Sequence, residues 1–168
     1  MEIALLPKSA LRIKGKSASF VVNPQEPTAT NAALLLDDTI EDVLTDEAVT
    51  IQGPGEYEIG GVKITGTRGE KGIVYSLQVD GIDVLVGKMS TLSAMQHKLK
   101  EHSLVISECN ESGDGAFLTS LATSSLVYYG EKAKEVTQGF ESESLKQMNK
   151  YVVSPGKLPT EVETILLI

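Results

Sequence analysis

Tryptophan is absent from this chain of 168 residues, cysteine occurs once, histidine twice, and aromatic residues make up only 5%. The single Cys109 cannot close an intramolecular disulfide, which fits a reducing compartment. With so few rings there is little on which nucleic-acid bases could stack, and a net charge of -8 opposes a polyphosphate backbone. The stretch Met1-Glu2-Ile3-Ala4-Leu5-Leu6-Pro7 lacks the basic and long apolar regions of a signal peptide, and no run is long enough to span a bilayer. A cytoplasmic location with neither nucleic acid nor membrane as partner is therefore expected. Repeats, low-complexity tracts and linkers are also missing, so residues 1–168 are expected to form one domain.

Apolar residues make up 41% of the chain and charged residues 23%, enough for a substantial core. The first third predicts short strands over 3–6, 11–13, 17–22 and 32–36, with a turn at Gly15. Arg12, Lys14 and Lys16 would then share one face, most simply a solvated one. Further strands are predicted over 49–51, 56–59, 62–65, 73–79 and 82–86. The last two flank Asp80-Gly81, a pair that tolerates the positive φ of a type I′ turn. Capping patterns predict helices from Thr39, from Ser93 to about Glu101, and from Ser144 through Leu145 and Met148. An amphipathic helix over 116–124 and strands over 104–107, 126–129, 151–153 and 161–168 complete the pattern. The run Ile165-Leu166-Leu167-Ile168 lacks alternation, so it is either buried on both faces or covered by another chain.

The motif Gly53-Pro54-Gly55-Glu56-Tyr57-Glu58-Ile59-Gly60-Gly61 carries a family resemblance. It resembles a mid-domain element of small single-domain members of the metallo-β-lactamase superfamily. Three other stretches are similar to that family in the same order: 5–15 to its opening hairpin, 73–87 to the hairpin that delivers a metal-bridging aspartate, and 158–168 to its final strand. The resemblance implies an α/β fold, the metallo-β-lactamase-like αββα sandwich: two mixed β-sheets with helices outside, here reduced in its loops. On this view Gly53, Pro54, Gly55, Glu56, Tyr57 and Glu58 form a structural motif; Glu56 and Glu58 point to one side of a strand and either support the turn or are relics of a site wall.

Active members of the family bind zinc through a His-x-His-x-Asp-His cluster, a further histidine, a bridging aspartate and a final histidine. Neutral imidazole makes short bonds to zinc and leaves a position open for a nucleophilic water. This chain departs from the pattern at every one of those places. The cluster position reads Asp37-Asp38-Thr39-Ile40-Glu41-Asp42, the loop after Thr65 reads Gly66-Thr67-Arg68-Gly69-Glu70-Lys71-Gly72, Lys88 stands at the bridging aspartate, and the final histidine falls near Gly130. An ammonium in place of a bridging carboxylate turns an attraction for a cation into a repulsion of several kcal/mol. The resemblance thus implies a vestigial cleft of Lys8, Asp37, Asp38, Thr39, Glu41, Asp42, Lys88 and Gly130, with no catalytic residue and no cofactor.

Other chemistry has less support. His97 and His102 are expected on and at the end of the helix beginning at Ser93, away from the family's ligand positions. Cys109 reads as a packed thiol, and no serine-hydrolase elbow, Walker loop or dinucleotide fingerprint is present. Asp37, Asp38, Glu41 and Asp42 can in principle hold Mg²⁺, Mn²⁺ or Zn²⁺, although carboxylates also suit the first turn of a helix. Three readings follow: a non-catalytic module binding a protein partner or a second copy of itself, a hydrolase using a carboxylate-held cation, and a small-molecule or anion sensor anchored by Lys88.

Overall fold

In the computed structural model, which describes residues 1–37, 48–140 and 145–168, the alternating apolar positions assemble two mixed β-sheets. The first contains β1 (Glu2–Leu5), β2 (Leu11–Lys14), β3 (Ser19–Val22), β4 (Ala32–Leu34), β5 (Val49–Ile51) and β13 (Lys150–Val152), in the order β13-β1-β2-β3-β4-β5. The second contains β6 (Gly55–Ile59), β7 (Val62–Gly69), β8 (Gly72–Val79), β9 (Ile82–Lys88), β10 (His102–Glu108), β11 (Ala122–Tyr129), β12 (Leu145–Met148) and β14 (Glu163–Leu167). Its order is β12-β14-β11-β10-β9-β8-β7-β6, antiparallel from β6 to β9 and parallel from β9 onward.

Between the sheets lie Ile3, Leu11, Phe20, Leu34, Tyr75 and Ile106, all buried. Each such side chain contributes about 1.5–3 kcal/mol of hydrophobic free energy. Two short helices, α1 (Met89–Met95) and α2 (Ala133–Val136), and a 3-10 turn over Ala116–Ser120 cover the outer face of the second sheet through Met89, Leu92, Leu118 and Val136. The αββα sandwich is therefore reduced: the described helical segments that enclose core are short and lie over the second sheet.

The Asp80-Gly81 hairpin forms as its sequence dictates, with φ of 53° and 80° at the two positions. Ile165 and Leu167 face the inter-sheet core and Leu166 the helix side, so β14 is buried on both faces between β12 and β11. Other expectations need correction. The helix predicted from Ser93 to Glu101 instead spans Met89–Met95, because Met89, Leu92 and Met95 bury one face and Ser93 is interior to it. The helix predicted from Ser144 is instead strand β12, whose parallel pairing with β14 overrides the local capping pattern. The stretch read as a loop after Thr65 continues as β7 to Gly69 and closes tightly into β8. Residues 116–124 divide into the 3-10 turn and the start of β11, and the helix expected from Thr39 lies outside the described residues.

Candidate functional site

The strands β9, β10 and β11 run parallel, and their last residues stand in register, Lys88 beside Glu108 and Glu108 beside Tyr129. These three continue the inward-facing columns Val84-Val86, Leu104-Ile106 and Val127. Where the apolar columns stop, polar side chains take over. Across from them, β3 and β4 of the other sheet, parallel to each other, deliver Asn23 and Asp37 just past their carboxyl ends. A cleft of about 490 Å³ opens there, the usual location for ligand sites in sheets of parallel strands.

Its walls come from both sheets. Asn23, Gln25 and Asp37 line one side and Lys88, Glu108 and Asn110 the other. Lys8 and Ser9, with left-handed φ of 57° and 61°, and Glu131 are exposed residues that complete the lining with them.

Asn23 ties the sheets together beneath this cleft. It is buried, adopts φ of 46°, donates through Nδ2 to Glu108 Oε1 at 2.8 Å, and accepts the Leu36 N–H on Oδ1 at 2.9 Å. Asparagine suits the place because it tolerates left-handed backbone and carries a donor and an acceptor on one short side chain. Glu108 is only 5% exposed. Burial pushes its carboxyl above the ordinary value; the Asn23 hydrogen bond and the Lys88 charge pull it back, and the Asp37 charge adds to the rise. Lys88 donates to Asp37 in an ion pair that spans the two sheets. The hydroxyl of Tyr129 is sealed in the core without a hydrogen-bond partner among the described residues, and burial raises it well above its ordinary value.

Of the sequence-derived cleft residues, Lys8, Asp37 and Lys88 lie around this one cavity. Asp38, Thr39, Glu41 and Asp42 lie outside the described residues. Gly130 has φ of 108°, and a Cβ there would sit 2.6 Å from Asn110 Oδ1 and 2.8 Å from the Cys109 carbonyl, so no side chain can enter the cleft from that position without displacing the β10 exit. The motif from Gly53 to Glu58 lies elsewhere, on edge strand β6, where the Tyr57 hydroxyl reaches the Gly53 and Pro54 carbonyls at 3.3 Å. Glu56 and Glu58 are exposed there, beside a separate surface groove of about 460 Å³, and do not line the cleft.

Both histidine placements change. His97 is exposed in a turn beyond α1, and His102 opens β10 with Nε2 2.7 Å from Ser76 Oγ and Nδ1 2.8 Å from the Lys100 carbonyl. Both ring nitrogens being engaged, His102 forms no dyad with Cys109. That thiol is fully buried and pushed up to about 11, first by burial and then by the charge of Glu108, against a weak bond to Ser107. It is poorly suited to be a nucleophile.

Asn23, Gln25, Glu108, Asn110 and Glu131 escaped the sequence reading. A readable signal existed for Glu108: a carboxylate that falls in the inward phase of a strand after Leu104 and Ile106. For the amides no comparable signal exists.

A zinc centre of the fold would require His, Cys, Asp or Glu donors converging on one point. No group of three such side chains does so among the described residues, and the ammonium of Lys88 lies in the cleft. The described residues therefore do not fit the metal.

Neither a protein-family model nor a curated protein sequence matches the chain. Solved structures do. A Thermotoga maritima protein provisionally classed as a Zn-dependent hydrolase of the metallo-β-lactamase superfamily superimposes with a TM-score of 0.74 at 16% identity, over 99% of this chain and 98% of that one. A Parabacteroides distasonis protein provisionally classed as a metal-dependent hydrolase gives a TM-score of 0.58 at 13% identity, over 96% and 91%. The chain thus has the metallo-β-lactamase fold. Among the described residues, no helix is long and apolar enough to cross a membrane.

Proposed function

We propose that this chain is a metallo-β-lactamase-fold protein that works by binding in its cleft and carries out no zinc-dependent hydrolysis. The observation that carries the reading is the Lys88–Asp37 ion pair: a fixed ammonium from the end of β9 meets a carboxylate from the end of β4 inside the cleft. Such a pair satisfies internally the carboxylate charge that a bound metal ion would otherwise meet. The polar lining and the absence of a reactive thiol at the site support recognition over chemistry.

Elemental analysis of the purified protein, with thermal melts in EDTA, Zn²⁺, Mn²⁺ and Mg²⁺, tests this reading. The expected result is no stoichiometric metal and no displacement of the melt. Near-stoichiometric metal with a melt lowered by EDTA would overturn it in favour of a hydrolase with a carboxylate-held cation; Asp37, Asp38, Glu41 and Asp42 to amides would then be the next variants.

A further inference from the structure

We propose that the cleft holds a small zwitterion of the amino-acid class, its ammonium donating to Glu108 and its carboxylate meeting Lys8. The inference rests on the binding reading above and gives it a ligand chemistry.

Every described residue lining the cleft is polar or charged, so a ligand there must replace water's hydrogen bonds at those contacts. Charge narrows the choice. Among the described residues, Asp37 and Lys88 neutralise one another, which leaves Glu108 and Glu131 against Lys8. A simple anion would face two carboxylates and would have to take Lys88 from Asp37. A divalent ion would need a cluster of donors that the described residues do not assemble. An ammonium needs only acceptors, and these are present.

Glu108 supplies the first acceptor. Its Oε1 is held by Asn23 at 2.8 Å, while Oε2 accepts no hydrogen bond from a described residue and is not sealed away from the cleft. A carboxylate this desolvated gains more from a charge-assisted bond than one in water does. The upward shift of its carboxyl fits a negative charge whose compensation within the protein is incomplete. Glu131 and the side-chain oxygens of Gln25 and Asn110 offer further acceptors.

Lys8 supplies the opposite charge. Its side chain is 65% exposed and lies 3.7 Å from a half-buried Glu26, a loose pairing that a ligand carboxylate can displace. The cleft volume of about 490 Å³ lies within the range of small-molecule sites. Opposite charges, one buried and one exposed, select a molecule carrying both.

The test is NMR titration of the ¹⁵N-labelled full chain with the twenty common amino acids at millimolar concentration, beside their N-acetyl derivatives, acetate and inorganic phosphate. At least one free amino acid should shift the side-chain amide signals of Asn23, Gln25 and Asn110 saturably, and N-acetylation should abolish the effect. Glu108→Gln, an isosteric change, should weaken binding about ten-fold or more, as expected for loss of a charge-assisted bond. Lys8→Gln, at an exposed position, should weaken it less. No saturable shift with any free amino acid, equal binding of acetate or phosphate, or unchanged affinity in Glu108→Gln would each overturn the proposal. Metal analysis of the same sample separates the two readings: stoichiometric metal sinks the metal-free reading, whereas a metal-free protein that ignores amino acids sinks this one alone.

Discussion

The two ends of this sandwich are built on opposite terms. At the end away from the cleft, hairpin tips from both sheets interlock: the Ser17 hydroxyl donates to the Gly60 carbonyl at 2.7 Å and the Lys16 N–H to Asp80 Oδ1 at 3.0 Å. Nothing larger fits at Gly60, where φ is 58° and a Cβ would fall 2.7 Å from that of Ala18. At the cleft end the sheets are joined by side chains, Asn23 to Glu108 and Lys88 to Asp37, around open volume. One end is closed by backbone and glycine. The other is bridged by polar and charged side chains around open volume; its buried carboxylate, Glu108, is held by an amide, whereas Asp80 at the closed end faces the amino group of Met1.

If that contrast is right, the most damaging single change at the open end is Asn23→Ala. It leaves the Leu36 N–H and the buried Glu108 carboxylate without their partner and places alanine at φ of 46°. A loss of about 3–5 kcal/mol is expected by urea denaturation. A loss below about 1 kcal/mol would mean that water readily replaces the amide and that the sheets do not depend on it.

The matching change at the closed end is Gly60→Ala, expected to cost about 2–4 kcal/mol through left-handed strain and displacement of Ala18. Ala18→Gly in the same chain should recover part of the steric share by vacating the space. The strain share should persist. No recovery would place the cost entirely in the backbone.

Legibility divided along the same line. The closed end is local: Gly15, where a Cβ would fall 2.8 Å from Val79, and Asp80-Gly81, where φ is positive, announced their turns because few residues fit such reversals. The open end is assembled from positions far apart in the chain, such as Asn23 and Glu108, which are 85 residues apart. Only the family resemblance directed attention to Lys8, Asp37 and Lys88, and it could not reach Asn23, which follows Val22 and precedes Pro24 and so reads as an ordinary strand exit. Strand β12 failed for a related reason: Ser144 and Gln147 carry a capping pattern, yet the pairing of Leu145–Met148 with β14 is a tertiary matter. The fold was therefore readable through its hairpins and apolar runs, whereas the cleft's floor required the topology.

A smaller effect sharpens the cleft side. Because burial raises the folded-state carboxyl of Glu108, the folded protein binds more protons than the unfolded chain above the ordinary value of 4.5, and stability falls as pH rises through that window up to the raised value. Glu108→Gln keeps an acceptor for Asn23 and removes the charge. It is expected to stabilise the protein by about 1 kcal/mol at neutral pH, with the gain vanishing below the ordinary carboxylate range. Thermal melts across pH measure this, and a destabilised variant at neutral pH would show that attraction to Lys88 outweighs burial.

Asp80 should show the opposite slope. Burial works to raise its carboxyl, but the Lys16 N–H bond, the amino group of Met1 and the Lys16 charge outweigh it, and the net position is below the ordinary 3.8. A depressed folded-state value adds stability that is full above the unfolded value and is lost as pH falls through the folded one. Asp80→Asn keeps the tolerance for φ of 53° and the acceptor for Lys16 but removes the charge that faces the buried amino group of Met1 at 3.2 Å, so a cost of about 1–3 kcal/mol at neutral pH is expected. That cost should disappear at acid pH, where the Glu108→Gln gain disappears as well. Carboxylates at the two ends would then be distinguished by the sign of their effect at neutral pH, stabilising where the sandwich is closed and destabilising where it is open. Equal signs would mean that the ends do not differ in the way their geometry implies.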